Sequence, residues 1–217
     1  MYLGKLLNLT ETQDIELKNR VAKAWAKFAI YRDELTNRCY PLAQRLRLFV
    51  SCVQPTFLYG CSSWTLTSKR ESVINRLQRQ MLRSVVGVKR KVVIGTDGEK
   101  NLEDWVSWIM RSTRTAVKVS REHGVRNWVE EISRRKFQWA GHVARRTDGR
   151  WTKVMLDWSL TGCRAQARPL TRWCDSLSKF FTGTAGRPVG GSSWIAAAQD
   201  RDYWKQMEDD YIEFCRR

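Results

Sequence analysis

The chain has 217 residues, with 39 Lys and Arg against 22 Asp and Glu, a formal net charge of +17 at pH 7, and 11 Trp within a hydrophobic content of 42%. So much apolar and indole surface excludes a disordered polyelectrolyte, and so much positive charge attracts polyanions at long range in a way that salt weakens steeply. The six cysteines form no C-x-x-C pair, which excludes a zinc ribbon, and no apolar run approaches the roughly 18 residues a bilayer span needs.

The opening residues MYLGKLLNLTETQD lack a basic n-region and a continuous apolar run, so reduced thiols and an intracellular location are expected. Tyr2, Leu3 and Gly4 read as the end of a remnant strand. From Asp14 the pattern turns helical, with Ile15, Val21, Trp25, Phe28 and Leu35 near one face of a single long amphipathic helix. Pro41 opens a second helix with a stripe of Leu42, Leu46, Phe49, Val50 and Val53, and Arg45 and Arg47 lie off that stripe. Pro55 predicts a kink or break. Ser68 and Glu71 form a capping-box pattern ahead of Val73, Leu77 and Met81, and Gly87 suits the C-terminal end. This helix carries Arg76, Arg79 and Arg83.

Residues 89–101, with two glycines and mixed charge, read as a linker loop and a domain boundary. Trp105, Trp108, Ile109 and Val117 predict a helix running to Gly124, and Val125, Trp128, Val129, Ile132, Phe137, Trp139 and Ala140 predict the next. That helix leads through RRKFQWAGHVARRTDGRW, residues 134–151, an aromatic segment bracketed by Arg134, Arg135 and Lys136 on one side and Arg145, Arg146 and Arg150 on the other. From Arg111 to Lys153 there are 12 Lys or Arg against 4 Asp or Glu, the electrostatic footprint of a nucleic-acid binder. Guanidinium groups make bidentate contacts with phosphate oxygens. His142 is a candidate phosphate contact or a packed core residue, and Trp139, Trp151 and Trp173 are either core residues or base-stacking platforms.

Trp151, Val154, Leu156 and Trp158 predict a short helix, and residues 161–168 a basic loop closed by Pro169. Leu170, Trp173, Leu177 and Phe180 recur at helical spacing, with Arg164, Arg168 and Arg172 near the entrance. Residues 182–193 are Gly-rich, lack a G-x-x-x-x-G-K-S/T pattern and read as a mobile linker. Trp194, Ala197, Trp204, Met207 and Tyr211 predict a last helix that closes as a lid on the core. The adjacent Asp209 and Asp210 lie in a helical pattern, where a two-metal site would need carboxylates aimed from a strand and turn. They read as a solvated acidic face.

Several stretches together resemble the region downstream of the catalytic palm in non-LTR (LINE-type) retrotransposon reverse transcriptases. Tyr2, Leu3 and Gly4 are similar to the YLG after the polymerase aspartates. Arg45, Leu46, Leu48 and Phe49, then Val53, Pro55, Leu58, Tyr59, Gly60, Cys61 and Trp64, resemble the thumb-like segment R-L-R-L-F followed by V-x-P-T-x-L-Y-G-C-x-x-W. Leu77, Gln78, Arg79, Met81, Leu82, Arg83, Val86 and Gly87 resemble the next helix. Trp139, Ala140, Gly141, His142, Val143 and Arg145 resemble a W-x-G-H-V-x-R box, and Arg168, Pro169, Arg172 and Trp173 a G-R-P-x-x-R-W box in which Ala167 replaces the glycine. The resemblance implies a fragment or truncated reading frame that holds RNA or a template and primer duplex. The endonuclease, fingers and palm with its Tyr-x-Asp-Asp turn have no counterpart in the sequence, so polymerisation by this chain alone is not expected. The resemblance also points to the nucleus and to the remainder of the reverse transcriptase as a partner.

The expectation is an all-α protein of two helical units, a thumb-like unit over 1–88 and a basic unit over 102–217, joined by 89–101. Nucleic acid, RNA or an RNA/DNA hybrid foremost, is the expected partner. No cofactor, metal, membrane or small-molecule substrate is expected. The expected contacts are Arg76, Arg79, Arg83, Arg134, Arg135, Lys136, His142, Arg145, Arg146, Arg150, Arg168 and Arg172. Rival readings are a protein interaction module whose basic face meets an acidic partner, and a non-functional retroelement remnant.

Overall fold

A computed structural model describes residues 12–94, 99–149, 151–152, 171–183 and 194–216. The expected N-terminal strand, all of the expected Trp151–Trp158 helix beyond Thr152, the 161–169 loop and most of the Gly-rich segment lie outside these residues. The fold is all-α apart from one small two-stranded hairpin. The described residues form two compact units, one from the residues up to Tyr59 with Ser68–Trp128, the other from Gly60–Thr67 with the residues from Val129 onward.

In the first unit the expected long helix is α1 (Thr12–Ile30) followed after a turn at Tyr31 by α2 (Arg32–Thr36). Its buried face is rotated from the expected one. Leu17, Ala24, Phe28 and Leu35 are buried, while Ile15, Val21 and Trp25 are half-buried. The rotation brings Glu16 and Arg20 inside as a pair at 2.6 Å, with the Arg20 guanidinium 4.6 Å from the centre of the Tyr59 ring. A charge in that position is tolerated because both its partners are adjacent.

Pro55 breaks nothing. Helix α3 (Leu42–Leu48) widens into a π-helical turn (Phe49–Val53) and resumes as α4 (Gln54–Phe57) with Pro55 in its first turn. Proline lacks an N–H and its ring crowds the carbonyl four residues back, and a widened turn just ahead of it relieves both problems. Arg45, expected off the stripe, is buried: its guanidinium donates to the carbonyls of Tyr40, at 3.1 Å, and Val85.

Helix α5 (Ser68–Val86) begins at Ser68 itself and buries Ile74, Leu77, Met81, Leu82 and Val85, so the stripe runs beside Val73, which is exposed. Gly87 ends it with φ of +68°, a left-handed conformation that favours glycine, and Arg38 donates to its carbonyl. The residues expected as a linker instead form an antiparallel hairpin, β1 (Val92–Ile94) and β2 (Lys100–Leu102), with Val92 opposite Leu102 and Ile94 opposite Lys100. Glu103 ties its base to helix α6 (Trp105–Glu122): it accepts from Arg111 Nε at 2.8 Å and from the Lys91 N–H at 3.2 Å, and the Arg111 guanidinium holds its carboxyl down at about 2. Asp104 caps α6 by accepting from the Ser107 N–H at 3.0 Å.

The unit closes on Trp128, the first residue of α7 (Trp128–Ala144). Its fully buried indole stacks on Phe57 at 4.5 Å and Phe49 at 5.7 Å. The buried Gln78 amide accepts from the Trp128 N–H at 2.9 Å and donates to the Arg126 carbonyl at 2.8 Å. The boundary between the two compact units at this point of the chain falls after Trp128.

The second unit is an aromatic core. Phe137, Ala140 and Ala144 of α7 pack with Leu177 of α8 (Asp175–Thr182), Trp194 of α9 (Trp194–Ala197), Trp204 of α10 (Arg201–Gln206) and Tyr211 of α11 (Glu208–Arg216). The Trp204 indole stacks on Phe137 at 4.1 Å and donates to the Phe137 carbonyl at 3.1 Å. The expected last helix is three short ones, because Asp200 accepts from the N–H groups of Asp202 and Tyr203 and starts a new helix there. The Gly60–Thr67 segment joins this core, where the Ser62 carbonyl accepts from the Trp173 indole at 2.7 Å and burial pushes the Cys61 thiol up to about 11.

Candidate nucleic-acid interface

Helices α5 and α6 run antiparallel in the first unit. Trp108 donates to the Val88 carbonyl at 2.9 Å, Arg83 to Thr113 Oγ1 at 2.9 Å, and Asn127 to Asn75 Oδ1 at 2.8 Å, so rising numbers on one helix meet falling numbers on the other. Beside their contact lies a cleft of about 630 Å³ lined by Arg79, Thr113, Arg114, Val117, Lys118, Arg121 and Glu122. Arg114, Lys118 and Arg121 recur at i, i+4 and i+7, one face of α6, and Arg76 and Arg79 are three apart on α5. All five of these cations are exposed, and none has a side-chain partner among the described residues. Arg83, the third expected contact on α5, is half-buried and fixed to Thr113. The result is a concave surface with four cationic side chains in its wall against one carboxylate.

The segment over 134–146 has a different character. Arg134 is bonded to Glu208 and, at 3.1 Å, to Asp209; Arg135 is bonded to Glu131 at 2.9 Å. Arg145 donates to the Ala198 carbonyl at 2.7 Å. Arg146 reaches Asp148 at 3.2 Å and the exposed His142 ring at 2.8 Å, and that ring lies 5.5 Å from Trp139. Lys136, expected at a phosphate, is 4% exposed. The reason is helical phase: Ser133, Lys136, Phe137, Ala140 and Ala144 share the buried face of α7. Its ammonium donates to Ser176 Oγ at 2.8 Å and lies 5.5 Å from the centre of the Trp173 ring. At Arg172 it is the backbone N–H that is engaged, by Asp175 at 2.7 Å. Arg150 and Arg168 lie outside the described residues. Of the three candidate stacking indoles, Trp139 and Trp151 are exposed, while Trp173 is half-buried and bonded to Ser62.

The chain is similar in sequence to a curated protein. It is 30% identical over 208 residues to a putative uncharacterized transposon-derived protein of Caenorhabditis elegans, covering 94% of this chain and 67% of that protein. The chain belongs to a transposon-derived protein family. No protein-family model matches it, and no solved structure matches it significantly. In this transposon-derived chain no group of three or more His, Cys, Asp or Glu is arranged to hold a metal among the described residues, and no helix there is long and apolar enough to cross a membrane. The described cysteines, Cys39, Cys52, Cys61, Cys174 and Cys215, are free thiols.

The 134–150 cluster stands out in the linear chain because its charges are adjacent, at 134–136 and 145–146. The α6 cations are scattered singly along the chain and need the helical period to come together. Their i, i+4, i+7 spacing was the available signal. The partners of Arg135 and Arg146 are local, at Glu131 and Asp148, whereas those of Arg134 and Arg145, at Glu208 and the Ala198 carbonyl, come from distant parts of the chain that no local pattern reveals.

Proposed function

We propose that this transposon-derived chain is a nucleic-acid-holding part of a retroelement reverse transcriptase, binding RNA or a template and primer duplex without supplying the polymerase carboxylates. The α5/α6 cleft carries this reading: exposed, unpaired Arg79, Arg114, Lys118 and Arg121 line one concave surface, with exposed Arg76 three residues before Arg79 on α5. Cations left unpaired in a protein of net charge +17 are available to displace counterions from phosphates, which is the main source of affinity in such complexes. The transposon-derived relative and the order of the thumb-like and W-x-G-H-V-x-R boxes support the retroelement part of the reading. Asp209, half of the adjacent aspartate pair, is bonded to Arg134, which fits a structural role for that pair.

The test is fluorescence anisotropy of the folded chain with an RNA hairpin, an RNA/DNA hybrid and a duplex DNA across a salt series. Salt-steep binding is expected. Changing Arg79, Arg114 and Lys118 together to Ala is expected to weaken it about tenfold on every sequence and to make the slope of log K against log salt shallower by about 2. Changing Arg145 and Arg146 to Ala is expected to have a smaller effect, since both already have partners in their own unit. A folded chain that does not bind at low salt, or a triple variant that binds as the parent does, overturns the assignment.

A further inference from the structure

The hairpin and the first turns of α6 leave an apolar surface uncovered. Val92, Ile94, Leu102, Trp105, Val106 and Met110 are all more than half exposed, up to 69% at Ile94. On the hairpin, the register puts Val92, Ile94, Leu102 and Lys100 on one face, because opposed residues and alternate residues of a strand share a side. On α6, Val106 and Met110 are one turn apart, and Arg114 continues their row. The two parts are joined by the Glu103 contacts at the hairpin base, so they are held as one surface. Monomeric proteins rarely expose so many large aliphatic groups together unless something covers them.

The charges around this surface say what kind of partner fits. Its acidic side chains at the hairpin base are engaged internally: Glu103 with Arg111 and the Lys91 N–H, Asp104 with the start of α6. Most of the cations are not. Lys89, Lys100 and Arg114 are exposed and have no side-chain partner among the described residues, and Lys91 is exposed with its charge beside Glu103. A second copy of a chain of net charge +17 would bring the same cations against these. A nucleic acid would find one exposed aromatic ring, Trp105, packed on the half-buried Trp108, among aliphatic groups that bases do not stack on.

We propose that the β1–β2 hairpin and the N-terminal half of α6 form a docking surface for an acidic amphipathic peptide, whose apolar residues cover Val92, Ile94, Leu102, Val106 and Met110 while its carboxylates meet Lys89, Lys91, Lys100 and Arg114. The surface uses the opposite half of α6 from the cleft, apart from Arg114, and the proposal stands whether or not the cleft binds nucleic acid. A polypeptide that occupies it is held by apolar burial in the middle and by charge at the rim, the usual arrangement of a protein interface.

The experiment uses the full chain and a fluorescein-labelled synthetic peptide with leucines at i, i+3, i+4 and i+7 and glutamates at the other positions. The controls are a scrambled peptide of the same composition and a labelled single-stranded oligonucleotide. The amphipathic peptide is expected to bind at least tenfold more tightly than the scrambled one. The triple variant Val92→Ser, Ile94→Ser, Met110→Ser is expected to remove that difference while leaving oligonucleotide binding unchanged. Since all three side chains are exposed, the variant should keep its far-UV and near-UV circular dichroism. A second variant, Lys100→Glu, is expected to weaken peptide binding severalfold without touching the apolar face. Equal binding of the two peptides overturns the proposal, as does a triple variant that loses oligonucleotide instead of peptide. Sedimentation showing a dimer that the triple variant abolishes would assign the surface to self-association and overturn it also.

Discussion

Gly141→Ala is expected to destabilise the second unit by about 3 kcal/mol, near the upper end of the range for an overpacked core site. In an exposed helix the same change stabilises by about 1 kcal/mol, because alanine is the better helix former. Here the sign reverses. A Cβ on Gly141 would stand 2.8 Å from Trp204 Cδ1 and 2.9 Å from Trp204 Cε2, inside contact distance. The indole cannot move away without losing its stack on Phe137 and its bond to the Phe137 carbonyl. Urea unfolding followed by near-UV circular dichroism measures the effect. Trp204→Leu on top of Gly141→Ala should recover part of it, with a coupling of about 1 kcal/mol or more between the two sites. A Gly141→Ala protein as stable as its parent would mean that α7 and α10 are not packed this closely. The glycine of the W-x-G-H-V-x-R box is thus explained by an approach distance in the core rather than by ligand contact.

Lys136→Met is expected to stabilise the protein at pH 7 by about 1–3 kcal/mol, the range seen when buried charges are replaced by apolar groups of similar volume. Burial holds the Lys136 ammonium down at about 8, against an ordinary value of 10.5. The charged groups around it offset this only in part: Asp175, and the thiols of Cys174 and Cys215 if ionised. Because the folded value is lower than the unfolded one, the unfolded chain binds more protons between about pH 8 and 10.5. The penalty is therefore fully present below pH 8 and fades as pH rises through that window, a change of about 3 kcal/mol in all. The stability difference between parent and Lys136→Met should accordingly be largest at neutral pH and shrink towards pH 10.5. Comparing the two proteins removes the contribution of Tyr211, which burial pushes well above its ordinary value in both. Loss of the lysine leaves no hydroxyl stranded, since Ser176 and Tyr211 remain bonded to each other at 2.9 Å. A difference that does not vary with pH, or a less stable variant at pH 7, would show that Lys136 is neutral or solvated in the folded protein.

Helices over α5, α6 and α7 were legible because their apolar residues recur at the helical period over several turns, and Gly87 and Gly124 mark two of their ends with left-handed φ values of +68° and +77°. The phase of a stripe was less legible than its existence. Val73 and Ile74 are equally apolar neighbours, and only the packing of α5 decides that Ile74 is buried and Val73 is not. The hairpin was missed because its strands are three residues each, too short for alternation to stand out among glycines and charges. Pro55 misled in the other direction, since a π-helical turn absorbs a residue that ordinarily stops a helix.

By itself the sequence determined the helical class and the excess of positive charge, because composition and period are local sums that no fold can change. The tertiary structure decided which charges remain available. Arg134, Arg135, Lys136, Arg145 and Arg146 look like a phosphate site in the linear chain, and folding supplies each with a partner or buries it. Arg79, Arg114, Lys118 and Arg121 look unremarkable in the linear chain, and the antiparallel pairing of α5 and α6 gathers them, unpaired, around one cleft. For Arg134 and Arg145 the engaging carboxylate or carbonyl is brought from a distant part of the chain, and that is information only the folded structure holds.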